Sequence, residues 1–451
     1  MRGLFRFGTV LCLLVLLSFL LAACGDSSDE PSPTPTDPPA SATADPTLSP
    51  PPPATETSVS GPDATTTGEA DATETTPDAP TEPVSTIVVP ADPTATTPGE
   101  VAGPTPPIVI NRDFFALGWN VALRGDDGGA EHNERTVQAV QDSGFGWVRF
   151  QMSWAQFESQ PNQWDPLPYD RTIDELHQAG VKILLVVAKA PDWALDTSGQ
   201  TFLANYGEFE EFMAFVAERY AGKVQAWEIW NEQNLAYEVN GQVRVGDYVE
   251  LLKAGYRGVK AADSGALVVF GGLTPNGVND PAIAIDDKLY LEQIYAYNGG
   301  EIRDYYDIMG VHLNSTHNSP DQMWPDNPGP EGWNDHESFY FRRAEQLRRV
   351  MIDNGDAATT MWITEFGWTT ENQAPGYEYG VNNTEEDVAE YLVRSLEIAQ
   401  REWDFVSGAF VWNLNWSTLS NPEDEIYPWS ALNADWSPRP AYLAMQAYPK
   451  E

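Results

Sequence analysis

Only two cysteines occur in 451 residues, at positions 12 and 24. Lysine and arginine together number 25 against 67 aspartates and glutamates, and there are five histidines. Each shortage closes off a class of protein. With both thiols near the N-terminus, the rest of the chain has no disulfide and no cysteine metal site. It must be held together by core burial, for which it is long enough. A net charge of −42 disfavours nucleic acid and anionic lipid as docking partners. It suits neutral ligands and opposes polyanionic ones. No HxH or HExxH spacing occurs, so a metal-dependent hydrolase lacks its usual ligands. A glycine-rich phosphate turn is also missing: GWNVALRGDDGG (118–129), after the first strand-like run, does not fit one.

The N-terminus is distinctive. Arg2 and Arg6 precede an apolar run over 9–23 that is short for a membrane span. The run ends Leu21-Ala22-Ala23-Cys24 before Gly25, which resembles the lipobox of bacterial lipoproteins. That resemblance implies a signal peptide over 1–23, lipidation of Cys24, and a membrane-anchored protein at the bacterial cell surface. An ordinary secretory signal with a chance cysteine is the alternative. Residues 24–107 form a linker of Pro, Thr, Ala, Ser, Asp and Glu, with no Lys or Arg. Such a composition cannot bury enough apolar surface to offset its ordering entropy, so a disordered stalk is expected. At roughly 3.1 Å per residue it would reach up to about 250 Å. Signal and stalk carry only about a third of the net charge, so the folded part is acidic too.

From 108 to 451 the composition is that of a globular domain. Strand-like runs occur at 114–120, 147–152, 181–188, 224–230, 266–272, 306–313, 361–367 and 408–415. Several are apolar throughout, as parallel strands covered on both faces should be. Amphipathic segments lie between them at 134–144, 169–180, 209–222, 248–263 and 387–402, and the first three of these contain or end on a closing glycine. Alternation of this kind predicts an α/β fold, a (β/α)8 TIM barrel behind the disordered stalk.

A TIM barrel carries its chemistry at the C-terminal ends of the strands. The polar residues there are Asn120, Arg149, the pair Asn231-Glu232, His312, Asn314, Glu365, and Trp412 with Asn413. Buried acids are costly unless paired or used. Two opposed carboxyl groups are what glycosidic hydrolysis needs: one protonates the leaving oxygen, the other attacks the anomeric carbon or activates water. Glu228 lies four residues before Glu232, roughly 13 Å lower on a strand, and reads as a paired residue of the barrel interior. Trp193, Trp324, Trp333, Trp368, Trp416 and Trp429 fall in or near the βα loops, where sugar stacking and rim packing are equally open. The long loop over 314–336 reads as a lid or binding rim.

WEIWNE (227–232) and WITEFGW (362–368) resemble the strand-four and strand-seven signatures of clan A retaining glycoside hydrolases. Arg149 in WVRF, Trp412 in FVWN and Trp193 in APDW extend the resemblance towards the family 39 and family 5 type. It implies Glu232 as general acid/base and Glu365 as nucleophile, on a carbohydrate substrate and without a cofactor. It further implies that Asn231 bonds the sugar 2-hydroxyl, that Arg149 keeps Glu365 ionised, that His312 orients the pair, and that Trp412 forms the sugar floor. Asn120, Trp193, Asn314 and Trp368 complete the expected binding set. Two residues depart from the pattern. Gln233 stands where many relatives have Pro, and Asn314 where they carry an aromatic hydroxyl that touches the nucleophile. Asn314 therefore favours the alternative, a non-catalytic carbohydrate-binding module on a degenerate barrel.

Overall fold

The computed structural model describes residues 115–126, 129–325 and 336–450. The leader, Cys24, the stalk, Trp333 and the middle of the 314–336 loop lie outside them. Eight parallel strands close into a barrel. In chain order these are β1 (Ala116–Asn120), β2 (Trp147–Ser153), β3 (Lys182–Ala188), β4 (Ala226–Ile229), β5 (Leu267–Phe270), β6 (Ile308–Asn314), β7 (Thr360–Gly367) and β8 (Val406–Val411). Neighbours in sequence are neighbours in the barrel, and β8 pairs with β1 to shut the ring.

A helix follows every strand: α1 (Gly129–Asp142), α2 (Leu167–Gln178), α3 (Tyr206–Arg219), α4 (Val245–Ala262), α5 (Asp287–Ala296), α6 (Arg343–Asp353), α7 (Glu385–Glu397) and α8 (Pro440–Ala447). Local chemistry starts several of them. The Asn205 side chain caps α3, Asp286 caps α5, and Thr384 with Asp387 forms a reciprocal capping box on α7. Helices α5, α6 and α8 are not among the amphipathic segments read from the sequence. The buried stripe of α5 includes Asp287, Tyr290 and Tyr295, and that of α6 opens on Arg343, so polar residue types disguise both. Arg343 is buried against Asp286, Asp287 and Glu337, which ties α5 to α6 by charge.

Side chains alternate in and out along each strand. Facing outward they join the helices in the main core. Facing inward near the N-terminal ends they form a separate plug of Ala116, Leu184, Ala226, Val269, Ile308, Trp362 and Phe410. The plug accepts large rings because glycines oppose them: a Cβ on Gly118 would lie 2.4 Å from Phe410, and one on Gly408 would lie 2.8 Å from Trp362. Above the plug the interior turns polar, and every sequence candidate on a strand reaches that layer.

Backbone irregularity aims two of them. The β6/β7 register slips between Val311 and His312, so that His312 pairs with Glu365 and Thr364 becomes the extra residue. Strict alternation after Trp362 would send Glu365 outward. The bulge at Thr364 turns it into the barrel. At the end of β4, Trp230 and Glu232 both adopt left-handed backbone, with φ 71° and 51°. Strain of this kind in non-glycine residues concentrates at functional sites.

Helices α3 and α4 approach closely at Gly258, where a Cβ would lie 2.5 Å from the Glu210 carbonyl oxygen and 2.9 Å from the Ala214 nitrogen. Helix propensity favours alanine there by about 1 kcal/mol. Forcing a methyl group against backbone costs about 1–3 kcal/mol. Gly258→Ala is therefore expected to lower the thermal midpoint, as differential scanning calorimetry would read. A raised midpoint would mean that the helices separate freely.

Candidate active site

The site grows from Arg149, which rises from β2 into the polar layer and is 3% exposed. Its Nε donates to Glu228 Oε2 at 2.6 Å. Nη1 donates to Asn120 Oδ1 at 2.8 Å and to Glu365 Oε1 at 2.6 Å. Nη2 donates to Asn231 Oδ1 at 2.7 Å. One guanidinium thus links β1, β2, β4 and β7. Burial alone would lower its pKa, but the charges of Glu228 and Glu365 outweigh that and keep it protonated. Glu228 also accepts the Gly272 amide at 2.9 Å, so both its oxygens are used inside the barrel, as its place on the strand predicts.

His312 stands between the two carboxyl groups of interest. Its Nδ1 lies 3.1 Å from Glu232 Oε1, and its Nε2 lies 3.6 Å from Glu365 Oε1. One atom from each of Glu232, His312 and Glu365 falls within 4.8 Å of the others. Among the described residues this is the one group of acids and histidines spaced as metal ligands are. The Arg149 charge, 2.6 Å from Glu365, opposes a further cation there. Gly272 makes room for the imidazole: a Cβ on it would lie 2.2 Å from the His312 ring.

Several expected residues take their places with new detail. Asn120 donates to the Thr364 carbonyl at 3.0 Å while accepting from Arg149, so it braces the bulge and the guanidinium together. Asn231 has its oxygen committed to Arg149, so its amide nitrogen is the side chain's donor. Asn314 Nδ2 lies 3.4 Å from Glu365 Oε2 and itself supplies the contact that an aromatic hydroxyl was expected to make. Trp412 is half-buried at the end of β8, with its ring tilted against Trp416 at 4.9 Å. Trp193 is bound into the loop wall, its indole N–H donating to the Glu158 carbonyl at 3.1 Å.

Trp368 departs from expectation. It is 1% exposed, donates to the Asn318 carbonyl at 2.9 Å, and packs on Phe341 and Tyr391. The chain has passed the bulge and points this ring away from the barrel axis, so it is core and no sugar platform. Trp429 is buried as well.

Three charged residues were missed. Lys189, just past β3, has left-handed backbone (φ 64°) and donates to Glu238 Oε1 at 2.7 Å. Burial pushes the Glu238 carboxyl up to about 7, against the pull of Lys189 and with the push of Glu232. Glu425, in the loop after β8, is driven up to about 7 by burial. A lysine directly after an apolar strand was the one available sign. Neither glutamate sits in a recognisable pattern.

The protonation pattern differs from the expected one. Burial opposes ionisation of Glu232, but the hydrogen bond and charge of His312 hold its carboxyl below the usual range. Burial raises the Glu365 carboxyl, and the pull of His312 and Arg149 does not overcome it. Burial would lower the His312 pKa, yet the two carboxylates raise it. The imidazole therefore competes with both carboxyl groups for a proton.

No protein-family model and no curated protein matches the chain. Solved structures do. A family 39 glycoside hydrolase from Bacteroides cellulosilyticus superposes with a TM-score of 0.55 at 20% identity, over 75% of this chain. The chain spans 64% of the length of that structure. A GH39 β-xylosidase from Caulobacter crescentus gives 0.51 at 16% identity, covering 77% of this chain and 72% of that one. Native xylanase 10B from Thermotoga maritima gives 0.50 at 14% identity, covering 74% and 94% respectively.

The raised groups set the direction of a pH effect. Glu238, moved from 4.5 to about 7, holds its proton more tightly in the folded chain, as does His312. Their contribution to stability is complete at low pH and is lost as pH rises through the folded values. The thermal midpoint is expected to fall between about pH 5 and 7, and Glu238→Gln to flatten that fall. An equally steep fall in the variant would remove Glu238 as a source. What the likenesses establish is the fold: this chain is a (β/α)8 barrel of the architecture those hydrolases share.

Proposed function

We propose that the protein is a retaining glycoside hydrolase acting on a β-linked oligo- or polysaccharide, with Glu365 as nucleophile and Glu232 as acid/base. The separation of the two carboxyl groups carries this reading: an oxygen of each lies within 4.8 Å. Retaining enzymes hold theirs about 5–5.5 Å apart, whereas inverting enzymes leave about 6.5–9.5 Å for a water. Glu365 is gripped by Arg149 and approached by Asn314, as suits a group that must keep one orientation while it bonds to carbon. Glu232 is the more exposed of the two and contacts the imidazole.

The first step breaks the glycosidic bond as Glu365 attacks the anomeric carbon and a proton passes to the leaving oxygen. Glu232 delivers that proton, its carboxyl lying 3.1 Å from the His312 imidazole. The Asn231 amide donates to the sugar 2-hydroxyl as charge grows on the ring. In the second step Glu232 takes a proton from water, and water displaces Glu365. No step calls for a cofactor. The whole arrangement argues against the binding-module alternative, because a lectin gains nothing from two buried carboxylates that repel each other.

The test is hydrolysis of aryl β-glycosides and β-linked polysaccharides by the full-length chain. Glu365→Gln is expected to fall below detection. Glu232→Gln is expected to lose about 10²–10⁴-fold on unactivated substrates, and far less on aryl glycosides with good leaving groups. Normal turnover in either variant would overturn the assignment, and binding without turnover by the wild type would favour the lectin.

We also infer that Cys24 anchors the protein to the membrane, on the strength of the apolar leader and the small residues before it. Cys24→Ala should move the protein from the membrane fraction to the soluble fraction of cells expressing it. An unchanged distribution would exclude lipidation as the anchor.

A further inference from the structure

One rung of the barrel is built differently from its neighbours. At the mouth, adjacent strands go on pairing through their backbones. Val121 N donates to the Arg149 carbonyl at 3.0 Å, Trp230 N to that of Val187 at 2.9 Å, and Trp412 N to that of Phe366 at 2.8 Å. Between β4 and β5 the register sets Ile229 beside Phe270, so a parallel ladder next calls for the Gly271 N–H on the Ile229 carbonyl. A side chain from the outer helices enters that rung. Gly271 N donates to Tyr248 Oη at 2.7 Å, and Tyr248 Oη donates to the Ile229 carbonyl at 3.0 Å. Tyr248 lies in the first turn of α4, is 1% exposed, and meets Phe270 edge-on at 4.9 Å. Burial pushes its hydroxyl well above the usual range, so the group stays protonated and keeps its donor.

The two residues held by this rung carry the acid/base side of the site. Glu232 N donates to the Gly272 carbonyl at 2.9 Å. Gly272 N donates to Glu228 Oε1 at 2.9 Å. The His312 ring lies against Gly272, where a Cβ would come within 2.2 Å of it. Gln233 Nε2 holds the other side of the same segment, donating to the Gly271 carbonyl at 2.7 Å. The chain leaves the β4 ladder just past the rung, through the left-handed Trp230 and Glu232. A phenylalanine at 248 would pack as well on Phe270. What the hydroxyl adds is a bond to each strand at the level where Glu232 departs.

We propose that Tyr248 is a positioning residue for Glu232, its hydroxyl fixing the Gly271–Gly272 segment against β4 and so setting the aim of the acid/base carboxyl beside His312. Without the hydroxyl, the Gly271 N–H and the Ile229 carbonyl either close on each other or stay unpaired in a dry core. Closure moves Gly272, and with it the Glu232 amide and the imidazole. The unpaired state loosens both. Glu365, gripped by Arg149 on the far side, keeps its place in either case. This inference rests on the glycosidase reading.

The experiment measures kcat/KM, which reports the bond-breaking step, for the full-length wild type and Tyr248→Phe. The substrates are aryl β-glycosides of the sugar that the wild type prefers, with leaving groups running from 2,4-dinitrophenol to 4-methoxyphenol. A poor leaving group needs the Glu232 proton and a good one does not. Tyr248→Phe is therefore expected to lose about 10–100-fold on the 4-methoxyphenyl glycoside and less than about threefold on the 2,4-dinitrophenyl one. A purely structural role would lower the amount of active protein and so reduce the whole series by one factor. A uniform loss, or none, in a folded variant would overturn the positioning role while leaving the glycosidase reading intact. If Tyr248→Phe does not fold, Gln233→Leu decides, because it frees the same segment at the Gly271 carbonyl. The same dependence on leaving group is then expected, and a uniform loss or none would overturn the proposal. A wild type silent on every glycoside, polysaccharides included, would remove both readings together.

Discussion

The barrel mouth is organised around one buried cation. Arg149 donates to Asn120, Glu228, Asn231 and Glu365, residues that arrive on three strands besides its own. A guanidinium has a rigid planar fork, so satisfying it fixes the relative height of those strands as well as the side chains. A lysine offers a point charge and cannot do this. The arrangement also allows the site to be acidic. Two buried carboxylates beside each other would force one to stay neutral. A permanently charged neighbour spreads that cost, and the two carboxyl groups in turn raise the His312 pKa.

The interior divides sharply along its axis. Aromatic and aliphatic side chains fill the N-terminal half, with Gly118 and Gly408 cut away to admit Phe410 and Trp362. No water is needed there to satisfy polar groups. The C-terminal half holds the charges, each with a partner from another strand. The apolar half excludes solvent from beneath the ion pairs, which strengthens them. The outer helices therefore supply cohesion, and the inner plug supplies the electrical insulation on which the site works.

Much of this could be read in the residues. Apolar strand runs ending in polar side chains gave the barrel and put Asn120, Arg149, Asn231, Glu232, His312 and Glu365 at one end. Those residues are visible because a charged side chain at the end of a buried run has few structural uses. Glu228 was readable as an interior partner for the same reason. Other features left no local mark. Lys189 and Glu238 come from loops, where charged residues are ordinary and only the folded path brings them to the cleft. Trp368 shares its composition with a sugar platform, and its burial follows from the direction the chain takes after Gly367. Helices α5 and α6 hide because the charges they bury, Asp287 and Arg343, cancel one another.

The bulge at Thr364 has a consequence for how such a protein tolerates change. The inward aim of Glu365 is stored in the alignment of two neighbouring backbones, a collective property that no single residue type encodes. Replacing most residues of β7 by others of similar size would leave that alignment alone. Removing or adding one residue between 361 and 366 would preserve nearly all the composition and still send the carboxyl to the wrong face of the sheet. Strand seven should therefore accept substitutions far more readily than changes of length, and drift in its sequence can run a long way before the chemistry is lost.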